Sequence, residues 1–224
     1  MDESPIVDYY RKRAEQSSET YGPPEIQQDF AWIAEWLQQN VAGRDVLEVA
    51  CGTGHWTKVA ATSARSVVSS DISWDLVHAA RQKTNSPRVD FMVADAFTLP
   101  VTSNAFNCGM AHFLLSHVRR TEVRPFIGTF GRSLKNAGRL LFTDTKWVDG
   151  YRPPPVRRDE DGNTYDLRTL KDGSRFEILK NYFTKTDWEQ HLAPFGLVHI
   201  EELSYVWAIR LELNPRLENI SPGF

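Results

Sequence analysis

Cysteine is scarce. The chain of 224 residues holds two, Cys51 and Cys108, and neither belongs to a C-x-x-C pair. That excludes a disulfide framework and leads us to expect a reducing compartment, the cytoplasm. No run approaches the roughly 20 apolar residues that cross a bilayer, and the start Met1-Asp2-Glu3-Ser4-Pro5 lacks the basic-then-apolar order of a secretion signal. Excess positive charge is missing as well. Lys and Arg number 26 against 29 Asp and Glu, a net charge of −3, where a domain built to neutralise phosphates is strongly basic. Neither a nucleic acid nor a membrane is therefore an expected partner. The six histidines, His55, His78, His112, His117, His191 and His199, include no pair at metal-ligand spacing. What is present is ordinary: 41% hydrophobic and 25% charged residues, suited to one globular domain over residues 1–224.

Periodicity divides the chain. Phe30, Ile33, Leu37 and Val41 recur at helical spacing over about Glu25 to Asn40, with Gly43 as the stop. Asp45-Val46-Leu47-Glu48-Val49 reads as a buried strand that runs into a small-residue turn, Ala50 to Gly54, and then a helix-compatible segment to Ala64. Strands follow at Ser66–Asp71, Val89–Ala94, Phe106–Ala111 and Arg139–Asp144. A helix capped by Ser73 and another capped by Thr121 lie among them. Alternating strands and helices predict a parallel sheet covered on both faces. Residues 1–24 form a polar N-terminal arm. Residues 147–182 break the pattern as an insertion, with Pro153-Pro154-Pro155 and a hairpin signal at Lys171-Asp172-Gly173-Ser174. Phe183-Thr184-x-x-Asp187-Trp188 predicts a capped helix ending at Gly196. Leu197–Leu203 and Tyr205–Leu213 predict an antiparallel finish.

Function concentrates at successive strand ends. Glu48-x-Ala50-x-Gly52-x-Gly54 follows the first strand, where glycines let backbone N–H groups approach a ligand. Asp71 closes the second, placed either to accept ribose hydroxyls or to serve as a helix N-terminal acid. Asp95, in Ala94-Asp95-Ala96, closes the third. A dinucleotide fingerprint needs G-x-G-x-x-G, and from Gly52 its third position falls on Thr57.

These residues resemble the class I S-adenosylmethionine-dependent methyltransferases. The matching text is Val46-Leu47-Glu48-Val49-Ala50-Cys51-Gly52-Thr53-Gly54, Ser70-Asp71-Ile72-Ser73, Ala94-Asp95-Ala96 with Leu99-Pro100, Phe106-Asn107-Cys108-Gly109-Met110-Ala111, and Asn136-Ala137-Gly138-Arg139. The resemblance implies a Rossmann-like α/β fold with a seven-stranded, mainly parallel sheet, helices on both faces and an antiparallel C-terminal strand. It implies that Glu48, Ala50, Gly52 and Gly54 hold the methionine part of the cofactor, Asp71 and Ile72 the ribose side, and Asp95 and Ala96 the adenine. Met110 to His112 then line the sulfonium. The arm with Tyr9, Tyr10, Arg13 and Tyr21 resembles a lid, Arg13 pairing the cofactor carboxylate and Tyr10 covering the methionine part, or else is an amphipathic helix with a basic face. Two departures are visible. Ala50 replaces the usual first glycine, at little cost where φ is ordinary, and Asn107 stands where aspartate is frequent.

Methyl transfer needs a base only if the nucleophile loses a proton at attack. His112 is the expected base or orienting group, with His117 the second catalytic candidate. Trp147, Tyr165, Arg168 and Tyr182, from the insertion, are expected to contact the substrate. No Asx-Pro-Pro-aromatic tetrapeptide follows strand four, and no Asp-Asn pair follows Asp144. The expected activity is metal-independent methylation of O or N on a small metabolite in the cytoplasm. The alternatives are a protein or peptide side chain as acceptor, or a cofactor-binding protein that does not methylate.

Overall fold

The structure, a computed structural model, describes residues 5–16 and 23–215. Tyr21 of the arm lies outside them. In chain order the elements are α1 (Pro5–Gln16), α2 (Gln27–Val41), β1 (Asp45–Val49), α3 (His55–Ala60), β2 (Ser66–Asp71), α4 (Trp74–Lys83), β3 (Val89–Val93), β4 (Phe106–His112), α5 (Val123–Arg132) and β5 (Leu134–Thr145). The insertion supplies β6 (Arg157–Arg158), β7 (Thr164–Thr169) and β8 (Arg175–Leu179), and the chain finishes with α6 (Lys185–Leu192), β9 (Gly196–Glu202) and β10 (Val206–Leu213).

Seven strands form one sheet in the order β3-β2-β1-β4-β5-β10-β9. Pairing is parallel from β3 to β5, and β10 runs antiparallel to both neighbours. The expected fold is the one observed. Alternate strand residues feed two cores, which is why these strands read as nearly continuous apolar runs. Leu47, Val49 and Ala111 join Phe126, Phe130 and Trp188 of α5 and α6 on one face. Val46, Cys108 and Met110 join Phe30, Ile33, Leu37 and Trp56 of α2 and α3 on the other. The strand order reverses at β1, between β2 and β4, so a crevice opens beyond the carboxyl ends of these three strands. Among the described residues no helix is long and apolar enough to cross a membrane.

Local signals held at several ends. Ser73 Oγ accepts from the N–H of Leu76 at the start of α4. Thr184 and Asp187 exchange the two bonds of a capping box at α6, and Phe183 packs on Trp188 with ring centroids 4.6 Å apart. Others differed. The segment after Gly54 stays helical only to Ala60, because the turn that follows is recruited by Gly43, whose N–H donates to Ser63 O. Thr121 is not a cap: it lies in a 3₁₀ turn (Arg120–Glu122), and α5 starts after Glu122 without a side-chain cap. That turn is held from the insertion and from α6 instead, the Arg120 N–H donating to Asn163 Oδ1 at 2.8 Å and its guanidinium pairing Asp187 at 3.2 Å. Strand β5 begins at Leu134, five residues early, absorbing the expected turn as an irregularity with Ala137 at φ 56°.

The insertion is a three-stranded antiparallel sheet, β6-β7-β8. Helix α1 docks on it: Tyr9, Leu170 and Ile178 form a small separate core, backed by Ile6, Tyr10 and Phe176. Helix α1 and the insertion are thereby packed together.

Candidate active site

A cavity of about 520 Å³ occupies the crevice. Its floor is the loop after β1, with Asp71 and Ile72 from the end of β2 and His112, Phe113 and Leu114 from the end of β4, while Ile6, Val7, Tyr10 and Arg13 of α1 roof it.

The loop owes its shape to alternating left-handed residues, with Ala50, Gly52 and Gly54 at φ 54°, 56° and 82°. Gly54 is required twice over, since a Cβ there would stand 2.9 Å from Ala80 Cβ besides being strained. At Gly52 a Cβ would meet no protein atom within 4 Å, so the backbone faces open space. Ala50 corrects an expectation: its φ is not ordinary, and the loop carries the strain of an L-residue in the left-handed region.

Asp71 fastens the loop to β2. Its Oδ2 accepts from the Gly52 N–H at 2.9 Å and its Oδ1 from the Ser73 N–H at 3.0 Å. Burial pushes its carboxyl upward, while those backbone donors favour the charged form. Each oxygen keeps a lone pair for a further donor. Glu48 lies below the loop rather than in its wall. Its Oε2 accepts from Thr57 and Ser69 hydroxyls at 2.5 and 2.6 Å, and full burial pushes its carboxyl up to about 7.

His112 ends β4 with its ring stacked on Trp56, centroids 5.0 Å apart. Nδ1 bonds the Thr143 hydroxyl at 2.8 Å, and Nε2 is buried without a partner. Burial drives this imidazole down to about 3, so near neutrality it is an uncharged ring. His117 is differently committed. Its Nδ1 lies 2.6 Å from the Leu179 carbonyl, an acceptor, so Nδ1 carries the hydrogen and Nε2 accepts from Tyr10 Oη at 2.9 Å. Burial, with Lys180 adding, holds it neutral. Arg13 sits exposed at the mouth, its guanidinium 5.8 Å from the Tyr10 ring.

Residues 46–138 match the sequence profile of the methyltransferase domain family. That match, over 93 of the 224 residues, supports the resemblance to the class I S-adenosylmethionine-dependent methyltransferases. A demethylmenaquinone methyltransferase of Clavibacter sepedonicus is 32% identical over 128 residues, 57% of this chain and 48% of that protein. The chain thus spans about half the length of the curated relatives it matches. In fold it resembles the DhpI–SAH complex, at 24% identity and TM-score 0.76 over 95% of this chain and 97% of that one. The PH0226 protein of Pyrococcus horikoshii OT3 is also similar, at 19% identity and TM-score 0.73 over 92% and 99%.

Around the cavity the expected residues separate. Tyr10, Arg13, Ala50, Gly52, Gly54, Asp71, Ile72, His112 and His117 all reach the cavity wall. Met110 shares the His112 face of β4 but lies two residues deeper, wholly in the core. Asp95 is exposed, its Oδ1 accepting from the Phe97 N–H at 2.9 Å, and Ala96 packs against the α5 core; neither is in the wall. Trp147, Tyr165, Arg168 and Tyr182 also stand outside the wall, because α1 fills the place expected for the insertion. Trp147 bonds Asp149 and packs on Tyr182, Tyr165 donates to Asp159, and both Arg168 and Tyr182 donate to Asp166 Oδ2 at 2.7 and 2.8 Å.

Sequence reasoning passed over Trp56, Phe113, Leu114, Lys58 and Lys83, all in the wall. Phe113 directly follows His112 and Trp56 stands two residues after Gly54, and that adjacency was the available signal. Nothing local pointed to Lys180. It is buried, bonds Ser116 Oγ at 2.7 Å and Thr145 Oγ1 at 3.2 Å, pairs Asp144 at 3.4 Å, and burial lowers its ammonium to about 8. Asp144 in turn accepts from the Ser116 and Thr145 N–H groups, both at 2.7 Å, which clamps the insertion onto the turn carrying His117.

Proposed function

We propose that this protein moves a methyl group from S-adenosylmethionine to an oxygen or nitrogen of a small metabolite. The observation that carries the reading is a pairing within one roofed cavity: Asp71, oriented by two backbone N–H groups, and the unpartnered Nε2 of His112. The donor set fits the cofactor. Asp71 has lone pairs free for ribose hydroxyls, Gly52 presents open backbone, Ile72 offers an exposed apolar face, and Arg13 is a cation at the mouth for a carboxylate.

When bound, S-adenosylmethionine supplies a methyl made electrophilic by its sulfonium. The chain's task is alignment, holding nucleophile and methyl within about 3–3.5 Å and in line. His112 is suited to orienting the acceptor through Nε2 rather than to storing a proton, since a ring lowered to about 3 holds one poorly. His117, spent on Tyr10 and Leu179, positions the roof. Ile6, Val7 and Tyr10 keep water out. A roofed cavity of about 520 Å³ favours a metabolite over a polypeptide, which needs an open groove. Buried free thiols at Cys51 and Cys108 accord with the cytoplasm.

A labelled-methyl assay over small O- and N-acceptors, peptides and demethylmenaquinone tests the reading. Transfer to a small acceptor is expected. Tight cofactor binding with no transfer to any acceptor would overturn it in favour of a non-methylating cofactor-binding protein.

A further inference from the structure

Three consecutive residues at the end of β8 grip the 3₁₀ turn after β4, Leu115–His117. The Leu179 carbonyl accepts from His117 Nδ1 at 2.6 Å, the Asn181 N–H donates to Ser116 O at 2.7 Å, and Asn181 Nδ2 donates to Val118 O at 3.0 Å. Lys180 is the centre of the grip. Its ammonium has three hydrogens and meets three oxygens, Ser116 Oγ at 2.7 Å, Thr145 Oγ1 at 3.2 Å and Asp144 Oδ1 at 3.4 Å. Asp144 Oδ2 accepts from the Ser116 N–H at 2.7 Å, so main chain and side chain of Ser116 are tied to one ion pair. All four side chains are buried. A buried ion pair adds little net stability over apolar side chains of the same volume, and its best-attested use is to fix one arrangement among several.

That arrangement reaches the cavity. His117 follows Ser116, lines the cavity, and takes on Nε2 the hydrogen bond from Tyr10 of α1. Helix α1 in turn rests on β8, the ring centroids of Tyr9 and Phe176 lying 5.8 Å apart. The joins close a circuit: β8 to the turn through Lys180, the turn to α1 through His117 and Tyr10, α1 to β8 through Tyr9. None of the three is a strand pairing. Lys180 itself stands outside the cavity wall, so its route to the site runs through His117.

We infer that Lys180 is a positioning residue: by tying Ser116 to Asp144 and Thr145 it sets the His117 ring where Nε2 meets Tyr10, and so governs how long the roof stays shut over bound cofactor. The last clause rests on the methyl-transfer reading, which puts S-adenosylmethionine in this cavity; the placing of His117 does not.

Two measurements on the full chain separate positioning from plain stability. In nitrogen-15 spectra with labelled histidine, wild-type His117 is expected to show a single tautomer with a slowly exchanging Nδ1 proton. Lys180→Met is expected to lose that signature. Ser116→Ala, which takes one acceptor from the ammonium and no charge from the protein, is expected to weaken it, and decides alone if Lys180→Met does not fold. In stopped flow, S-adenosylhomocysteine is expected to leave Lys180→Met several-fold faster than wild type, with Ser116→Ala between. Adding Tyr10→Phe to either is expected to change the rate less than twofold, because the same join is already broken. A His117 signal unchanged in the variants, or rate effects that multiply with that of Tyr10→Phe, overturns the inference. A wild type that binds no S-adenosylhomocysteine removes the methyl-transfer reading instead, and the His117 signal then decides for or against Lys180.

Discussion

Tyr10 Oη donates to His117 Nε2 at 2.9 Å, joining two residues 107 positions apart in the chain. Through it α1 is latched to the turn after β4, and the tautomer required by the Leu179 carbonyl makes the latch one-directional. Tyr10→Phe removes the donor and leaves a buried ring nitrogen unpaired, at about 1–3 kcal/mol. S-adenosylhomocysteine is expected to leave several-fold faster, measured by stopped flow. An unchanged off-rate would mean that the latch does not govern closure.

Asp71→Asn keeps the side chain's shape but sets an amide against a backbone N–H at Gly52 or at Ser73, since each carboxylate oxygen now accepts there. Cofactor affinity is expected to drop tenfold or more, about 1.4 kcal/mol or above. Calorimetry returning the wild-type constant would refute a role for Asp71 in holding the ribose.

Ala50→Gly relieves the left-handed strain at φ 54°. The relief, about 1–2 kcal/mol, exceeds the chain entropy that glycine adds in the unfolded state, about 0.4–1 kcal/mol. A net gain near 1 kcal/mol is expected as a higher urea midpoint at constant slope, and a lower midpoint would contradict it.

With its ring lowered to about 3, His112 contributes no titration to turnover between pH 5.5 and 8, roughly the range where free histidine changes charge. His112→Ala is expected to cut kcat well beyond its effect on cofactor affinity. An acid limb near pH 6.5 in wild type that vanishes in this variant would show a proton-storing base instead.

Glu48, raised to about 7 from an ordinary 4.5, binds a proton in the folded state over a pH range where the unfolded chain has released it. Its protonated form therefore stabilises the fold fully below about pH 4.5, and that contribution is lost as pH rises through 7. Wild type is expected to lose roughly 2–3 kcal/mol relative to Glu48→Gln across this window, read from urea melts at each pH. Parallel pH profiles for the two proteins would place the carboxyl's titration elsewhere.

What could be read along the chain was whatever depends on near neighbours. The strand periodicity, the Ser73 cap, the Thr184–Asp187 box and the Gly52–Gly54 turn are decided within a few residues, so their pattern predicts the sheet and where its crevice opens. Asp71 was legible for the same reason, as the acid at a strand end. Tertiary structure alone decided the rest. Packing of α1 on β8, with Tyr9 in the core between them, determined that Tyr10 roofs the cavity while Tyr165 and Tyr182 stand outside its wall. The depth of each position along β4 separated His112 from Met110, and burial turned His112 and His117 into neutral rings. Lys180 meets Ser116 and Asp144 across 64 and 36 positions. Desolvation and charge balance act through space, and a linear order of residues does not carry distances of that kind.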